Sequence, residues 1–439
     1  MSEKKSKENF LYSLMKNINN SPTAFHAVNE NKKILLKNNF IELNESESWK
    51  IEPGNKYFFT RNNSSIIAFI VPKTTPDSFM IVASHNDYPC FKIINNSDTE
   101  CESYKLVVTE PYPKTLNYTW LDKPLSVAGR LIIKKGNKIS TKLINIKKPL
   151  MMIPSLSSHL QRETNEKGAK FSINPELRPI FSSNKKQSLL DVVCKESDID
   201  PKSVIDNELF IYNYTSPTIW GANDEFLSSR AIDNQISVYS SLYGLLESKP
   251  KHSVAIHAVF DNEEVGSNTA QGAASTSLIN TMSRIQKSLN LNSKKEQMFA
   301  NSLIISSDNA HGLHPNYIEK TNKEVKCKLG FGVAIKKAAS YAYSTNAVSS
   351  AIVSEIAKKS GAKIQYYYNK PGQNAGGTLA RFITPQTGIM GCDLGIAQWA
   401  MHSSFETCNL DDVYQLKKLL KNIYSSSIVI EYDGKFEIE

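Results

Sequence analysis

Residues 79–84 read FMIVAS, a nearly continuous apolar run with His85 and Asp87 directly behind it. A run without polar alternation suits a strand buried on both faces. Such a strand needs a sheet around it and cover on either side. HSVAIHAVF at 252–260 and NSLIIS at 301–306 are runs of the same kind. Asp261, Glu263 and Glu264 follow the first, and Asp308 follows the second. The cover is legible after Gly221, where the rhythm becomes αβ. SVYSSLYGLLES places Val238, Leu242 and Leu245 or Leu246 at helical spacing. NAVSSAIVSEIAKKSG is an amphipathic helix with Gly361 as its C-cap. KIQYYYN and TGIMGCDLG read as further strands, and DDVYQLKKLLKNIYSSSIVI as a closing helix. Alternating elements of this kind predict an α/β fold, a sheet with helices on both faces.

The first forty residues read as helices, with Phe10, Leu11, Leu14 and Met15 at helical spacing, and short β-type runs begin near Lys56. From 97 to 221 the character changes. KLVVTE, GRLIIKK and ELFIYN are β-type runs between proline-containing turns, and long helical periodicity is scarce. This predicts an inserted β-rich domain at 97–221 between segments 1–96 and 222–439. The length, 439 residues, suits two or three domains or one with an insertion. With 40% hydrophobic and 22% charged residues the chain has material for a sizeable core. Its net charge of +9 is spread as scattered lysines rather than gathered into a stripe with aromatics, which argues against nucleic-acid binding. The six cysteines form no CxxC pair and fit a reducing compartment. No segment reads as a signal peptide or a membrane span. The expectation is a cytoplasmic protein.

The chemistry gathers at strand ends. His85 and Asp87, Glu263 and Glu264, Asp308, and His402 after the GIMGCDLGIAQWAM stretch all follow apolar runs. In open α/β sheets, ligands bind at the carboxyl ends of the strands. His, Asp and Glu together form the donor set of a divalent metal. Asp233, in SSRAIDNQ, joins them, although an aspartate just before a helix is by itself more often an N-cap. Asp87 stands two residues from His85, where a carboxylate can hold the second ring nitrogen of a metal-bound histidine. Two carboxylates behind a buried strand, Glu263 and Glu264, need a compensating cation. Metal-assisted hydrolysis needs both a ligand and a general base. Spacing alone leaves open which glutamate is which.

VASHNDYPCFKI, SSRAIDNQ, VFDNEEVGSNTAQGA, SSDNAHGLHPNY and DLGIAQWAMHSSFE resemble the aspartyl aminopeptidase family of two-metal peptidases, which includes the yeast vacuolar aminopeptidase. SPTAFHAV, TWLDKPLSVAGR, IPSLSSHLQRE and FSINPELRPI extend the resemblance, in order, over nearly the whole chain. The resemblance implies a hydrolase-like zinc-peptidase sheet interrupted by a dimerisation domain, with segments 1–96 and 222–439 as the two parts of a catalytic domain. It implies an aminopeptidase that prefers acidic N-terminal residues, with water activated by two metal ions. His85, Asp233, Glu264, Asp308 and His402 would be metal ligands, with Asp233 bridging. Glu263 would be the general base, and Asp87 would orient His85. Zinc is the expected metal, although cobalt and manganese accept the same nitrogen and oxygen donors. The resemblance further implies peptide substrates, a tetrahedral dodecamer built from dimers, His159 reaching a neighbouring subunit's site, and Lys336 meeting an acidic substrate side chain. The chain departs from the family pattern around its specificity pocket. Ala338 and Ser340 replace asparagines, Ala397 replaces a proline, and the tyrosine-and-glycine-rich turn before TWLD reads EPYPKTLNY. PGQNAGGTLA keeps only its Gly376–Leu379 remnant. A neutral aminopeptidase of broader specificity and a non-catalytic shell protein are the alternatives. A carboxypeptidase or deacetylase has the same ligand types and is disfavoured only by the resemblance.

Overall fold

The computed structural model describes residues 3–373 and 376–439; Asn374 and Ala375, within PGQNAGGTLA, lie outside the described residues. Four parallel strands stand side by side in a 13-stranded mixed sheet: Ser253–Phe260, Ser78–His85, Leu303–Ser307 and Met390–Trp399. The FMIVAS strand is buried along its whole length. Its side chains alternate between two cores. Met80 and Val82 enter one, and Phe79, Ile81 and Ala83 enter the other. Full burial of each larger side chain contributes about 1.5–3 kcal/mol, so the strand is fixed by cover on both faces.

The helices Glu3–Asn20, Ile232–Glu247, Ala347–Ser360 and Leu410–Ser425 cover the first face through Leu14, Val238, Val353 and Leu416. Ser277–Ser288 and Ala380–Thr387 cover the second through Met282, Ile285 and Ile383. Helix ends follow their local chemistry. Asn346 and Ser349 form a capping box at the start of Ala347–Ser360, and Gly361 closes that helix at φ +66°. The closing helix stops earlier than its sequence suggested. It spans Leu410–Ser425, and SIVI starts a hairpin, Ile428–Tyr432 with Lys435–Ile438. A serine run followed by β-branched residues favours that switch to strand. Among the described residues no helix is long and apolar enough to cross a membrane.

A second sheet of six antiparallel strands runs Lys138–Asn145, Leu125–Lys135, Val204–Asn213, Cys90–Cys101, Tyr104–Tyr112 and Ile180–Ser182. Phe91, Trp120, Val127 and Ile211 belong to its own core. It begins just past His85 and Asp87, so the residues leaving the larger sheet lead straight into it. The strand Thr218–Trp220, by contrast, pairs within the larger sheet.

Candidate metal centre

The parallel strands end along one edge of the sheet, and the ionisable residues behind them converge there. His85 ends its strand, with its Nε2 3.5 Å from Asp233 Oδ1 and 3.5 Å from Asp308 Oδ1. His402 Nε2 lies 3.6 Å from Asp233 Oδ2 and 3.3 Å from Glu264 Oε1. These form two nests of three donors, His85–Asp233–Asp308 and Asp233–Glu264–His402, which share Asp233. His85, Glu263 and Glu264 form a third close group. Tetrahedral ligands about 2.1 Å from one ion stand roughly 3.4 Å from each other. The observed separations match that spacing, and the donor set suits a borderline divalent cation. Asp233 Oδ1 is buried and makes no hydrogen bond of good geometry; its near neighbour is His85 Nε2 at 3.5 Å, a separation that two ligands of one ion would show.

Asp233 does not cap its helix. Ala231 holds the N-cap position, and Asp233 and Asn234 depart from helical backbone angles across a cis peptide. The Asp233 carboxylate meets both histidines, His85 Nε2 at 3.5 Å and His402 Nε2 at 3.6 Å. Burial alone would raise its pKa, but the hydrogen-bonding imidazoles of His402 and His85 pull it well down. Burial disfavours charge on His402, yet Asp233 and Glu264 push it up to about 11. His85 is likewise raised by Asp233, Asp308 and Asp87 against the opposing effect of burial. Glu263 shows the opposite balance. Burial pushes it up to about 8, with His85 pulling the other way and Asp308, Glu264 and Asp87 adding to the rise. The cluster carries more carboxylates than its own imidazoles neutralise, as a cation site does.

Asp87 is a hub. His85 Nδ1 is 3.1 Å from the Asp87 carbonyl oxygen and 3.4 Å from its Oδ1. The Asp87 carboxylate accepts hydrogen bonds from the backbone N–H groups of Glu263 and Glu264, 3.1 Å each, and from Tyr112 Oη at 2.9 Å. Asp87 thus contacts His85 Nδ1 chiefly through its carbonyl oxygen, while its carboxylate meets the backbone of both glutamates. Lys336 is buried, with its Nζ 3.2 Å from Asp308 Oδ2 and 3.2 Å from the Asn309 carbonyl. It lines the same cavity of about 400 Å³ as His85, Asp233, Glu263, Glu264, Asp308 and His402. His159 is not brought there by its own chain. It is exposed, in a turn of the second sheet's domain.

Three residues escaped the sequence reading. Glu406 is buried and accepts from the backbone N–H of His402 at 2.7 Å and of Asp233 at 3.0 Å. It stands in the MHSSFE block already singled out for His402, which was its only signal. Tyr112 and Lys114 lie in EPYPKTLNY and reach the cluster from the second domain.

Residues 17–424 match the family described as Aminopeptidase I zinc metalloprotease (M18). The chain belongs to this family. As an M18 enzyme it is a metallo-aminopeptidase, a hydrolase of peptide bonds. It is 39% identical over 434 residues to the probable M18 family aminopeptidase 2 of Clostridium novyi (strain NT), covering 96% of this chain and 100% of that one. It is 33% identical over 440 residues to the aspartyl aminopeptidase of Caenorhabditis elegans, covering 93% of each. The solved S. cerevisiae mApe1 dodecamer has a TM-score of 0.83 at 25% identity, over 96% of this chain and 98% of that one. The α/β sheet with helices on both faces is thus the M18 fold, and the donor cluster is the candidate metal centre of an M18 aminopeptidase.

Proposed function

We propose that this M18 aminopeptidase removes an acidic N-terminal residue from peptides and holds two divalent ions, zinc first, in the two donor nests. The observation that carries the two-ion reading is the pair of nests sharing Asp233. His85, Asp233 and Asp308 would hold one ion, and Asp233, Glu264 and His402 would hold the other. When bound, the ions supply Lewis acidity, polarising the scissile carbonyl and bringing the pKa of water toward neutrality. Glu263 takes the proton of the attacking water and returns it to the leaving amine. Asp87 keeps the His85 ring oriented and fixes the backbone of Glu263.

Lys336 supports the acidic preference. Its ammonium has three N–H donors. Asp308 Oδ2 and the Asn309 carbonyl take two, leaving one for a substrate carboxylate. A broader, neutral specificity is the second reading, favoured by the Lys336–Asp308 ion pair, which offsets the lysine charge. The non-catalytic alternative gains no support, since the full set of ionisable residues stands in one cavity.

The assembly follows from the same family. We infer a homo-oligomer, a tetrahedral dodecamer of dimers, with the domain at 97–221 making the dimer and His159 reaching a neighbour's site. The mApe1 relative is a dodecamer, and Leu156 and Leu160 are exposed on either side of His159. Cytoplasmic placement is supported by six free thiols.

The test is a panel of aminoacyl chromogenic substrates on enzyme stripped by a chelator and reloaded with zinc, cobalt or manganese. Asp or Glu should turn over at least about tenfold faster than Leu, as expected for one well-made carboxylate contact. The stripped enzyme should be silent. Faster turnover of Leu or Met would refute the acidic preference, and turnover without metal would refute the mechanism.

A further inference from the structure

A second lysine belongs to the same cavity as Lys336. Lys114 lines it, with its Nζ 3.4 Å from Glu264 Oε2 and its side chain 56% exposed. The residue stands in the EPYPKTLNY turn, at φ +73°, a backbone region that non-glycine residues seldom adopt. The turn is tied to the metal centre on both sides of the lysine. Tyr112 donates to Asp87 before it. After it, the Leu116 N–H donates to the His402 carbonyl at 3.0 Å, and Ser404 bonds Thr119 through both its N–H and its hydroxyl. Lys114 is therefore presented by a fixed backbone rather than by a free loop.

The two lysines differ in exposure and in the carboxylate each meets. Lys336 is buried beside Asp308, and Lys114 is half-exposed beside Glu264. Glu263 groups with His85 and Glu264. An N-terminal residue has nothing beyond it and fits the buried Lys336 side. The rest of the peptide must leave toward solvent, on the side where Lys114 is exposed. A single contact to Glu264 leaves further N–H donors on the Lys114 ammonium. A half-exposed pair of this kind contributes little by itself, so the ammonium exchanges partners readily.

We propose that Lys114 is a specificity-determining residue that binds a carboxylate on the residue immediately after the scissile bond. The carboxylate is an acidic side chain or, in a dipeptide, the terminal carboxylate. The proposal rests on the reading above that the N-terminal residue occupies the Lys336 side. It is independent of which N-terminal residue is preferred.

The experiment uses metal-loaded full-length enzyme and three peptides that share the N-terminal residue cut fastest. They end in Ala-amide, Asp-amide or Ala with a free carboxylate. The wild type should cleave the Asp-amide peptide, the free-acid peptide or both at a kcat/KM roughly fivefold above the Ala-amide peptide. The two charged peptides report separately on side-chain and terminal carboxylates. Lys114→Gln should bring the ratio to one, Lys114→Arg should retain it and Lys114→Glu should invert it. Added salt should lower the wild-type ratio. A wild-type ratio of one, or a ratio unchanged in Lys114→Gln, would overturn the proposal and leave the metal-centre reading intact. So would an equal loss on all three peptides together with lost metal, since the lysine would then only hold Glu264 in place. No hydrolysis of any peptide by the loaded wild type would overturn the reading on which it rests.

Discussion

Glu263 and Glu264 are neighbours in the chain with different surroundings. Glu264 is 3.3 Å from His402 and nearly inaccessible, whereas the Glu263 carboxyl is pushed up to about 8 by burial. As a general base, Glu263 should matter to turnover and little to metal retention. Glu263→Gln is expected to lower kcat by about 10²–10⁴, with the metal content of the purified protein unchanged. His257 gives a prediction about stability. It is wholly buried, with its Nδ1 2.8 Å from Ser241 Oγ, and burial pushes its imidazole down to about 3. The folded state therefore keeps it neutral where the unfolded chain protonates it. Its contribution is complete above about pH 6.5 and is lost as the pH falls toward 3, reaching about 2 kcal/mol at pH 5. His257→Gln should flatten the fall in melting temperature between pH 7 and 5, and an unchanged slope would count against this account. His85, Glu263, Glu264, Asp308 and His402 were legible because each follows an apolar run, whereas Asp233 stands before a helix. Glu406 was not, because its partners, the backbone N–H groups of His402 and Asp233 and the side-chain amide of Gln398, are brought to it only by the fold.

At the scale of elements, the close passage of two strands positions a donor. Gly395, in the strand Met390–Trp399, lies beside the Asp308 backbone, and a Cβ there would meet the Asp308 carbonyl oxygen at 2.0 Å. Gly395→Ala must move Asp308 or its own strand. The expected result is a loss of roughly 10–100-fold in metal affinity, the scale seen when support around a ligand is removed. Metal titration against a competing chelator would measure it. Equal affinity in the two proteins would show that the strand absorbs the methyl group. The parallel strands were readable from the sequence because their apolar runs have no polar face to confuse the period. The closing helix was read too long because IYSSSIVI lacks the capping glycine that marks Gly361. The Asp233 turn was ambiguous because aspartate before a helix has a commoner use as a cap. Its backbone departs from helix at Asp233 and Asn234, which residue identity alone does not announce.

At the scale of the whole molecule, the second domain has two tasks. It places Tyr112 and Lys114 against the catalytic sheet, and it exposes Leu160, 74% accessible, next to His159. If that apolar surface joins subunits, Leu160→Glu should shift the protein to smaller species by light scattering, and activity should fall with it. An unchanged mass would remove this turn from the interface. The order of the donors also matters in time. His85 and Asp87 emerge early in synthesis, the six-stranded sheet follows, and His402 emerges near the end. At about 5–20 residues per second, tens of seconds separate the first donor from the last. A nascent chain short of Asp308 thus holds neither nest complete, and one short of His402 lacks the second. Completion of the donor cluster is accordingly a late event in biogenesis, and a ribosome stalled short of His402 would carry a chain without the Asp233–Glu264–His402 nest.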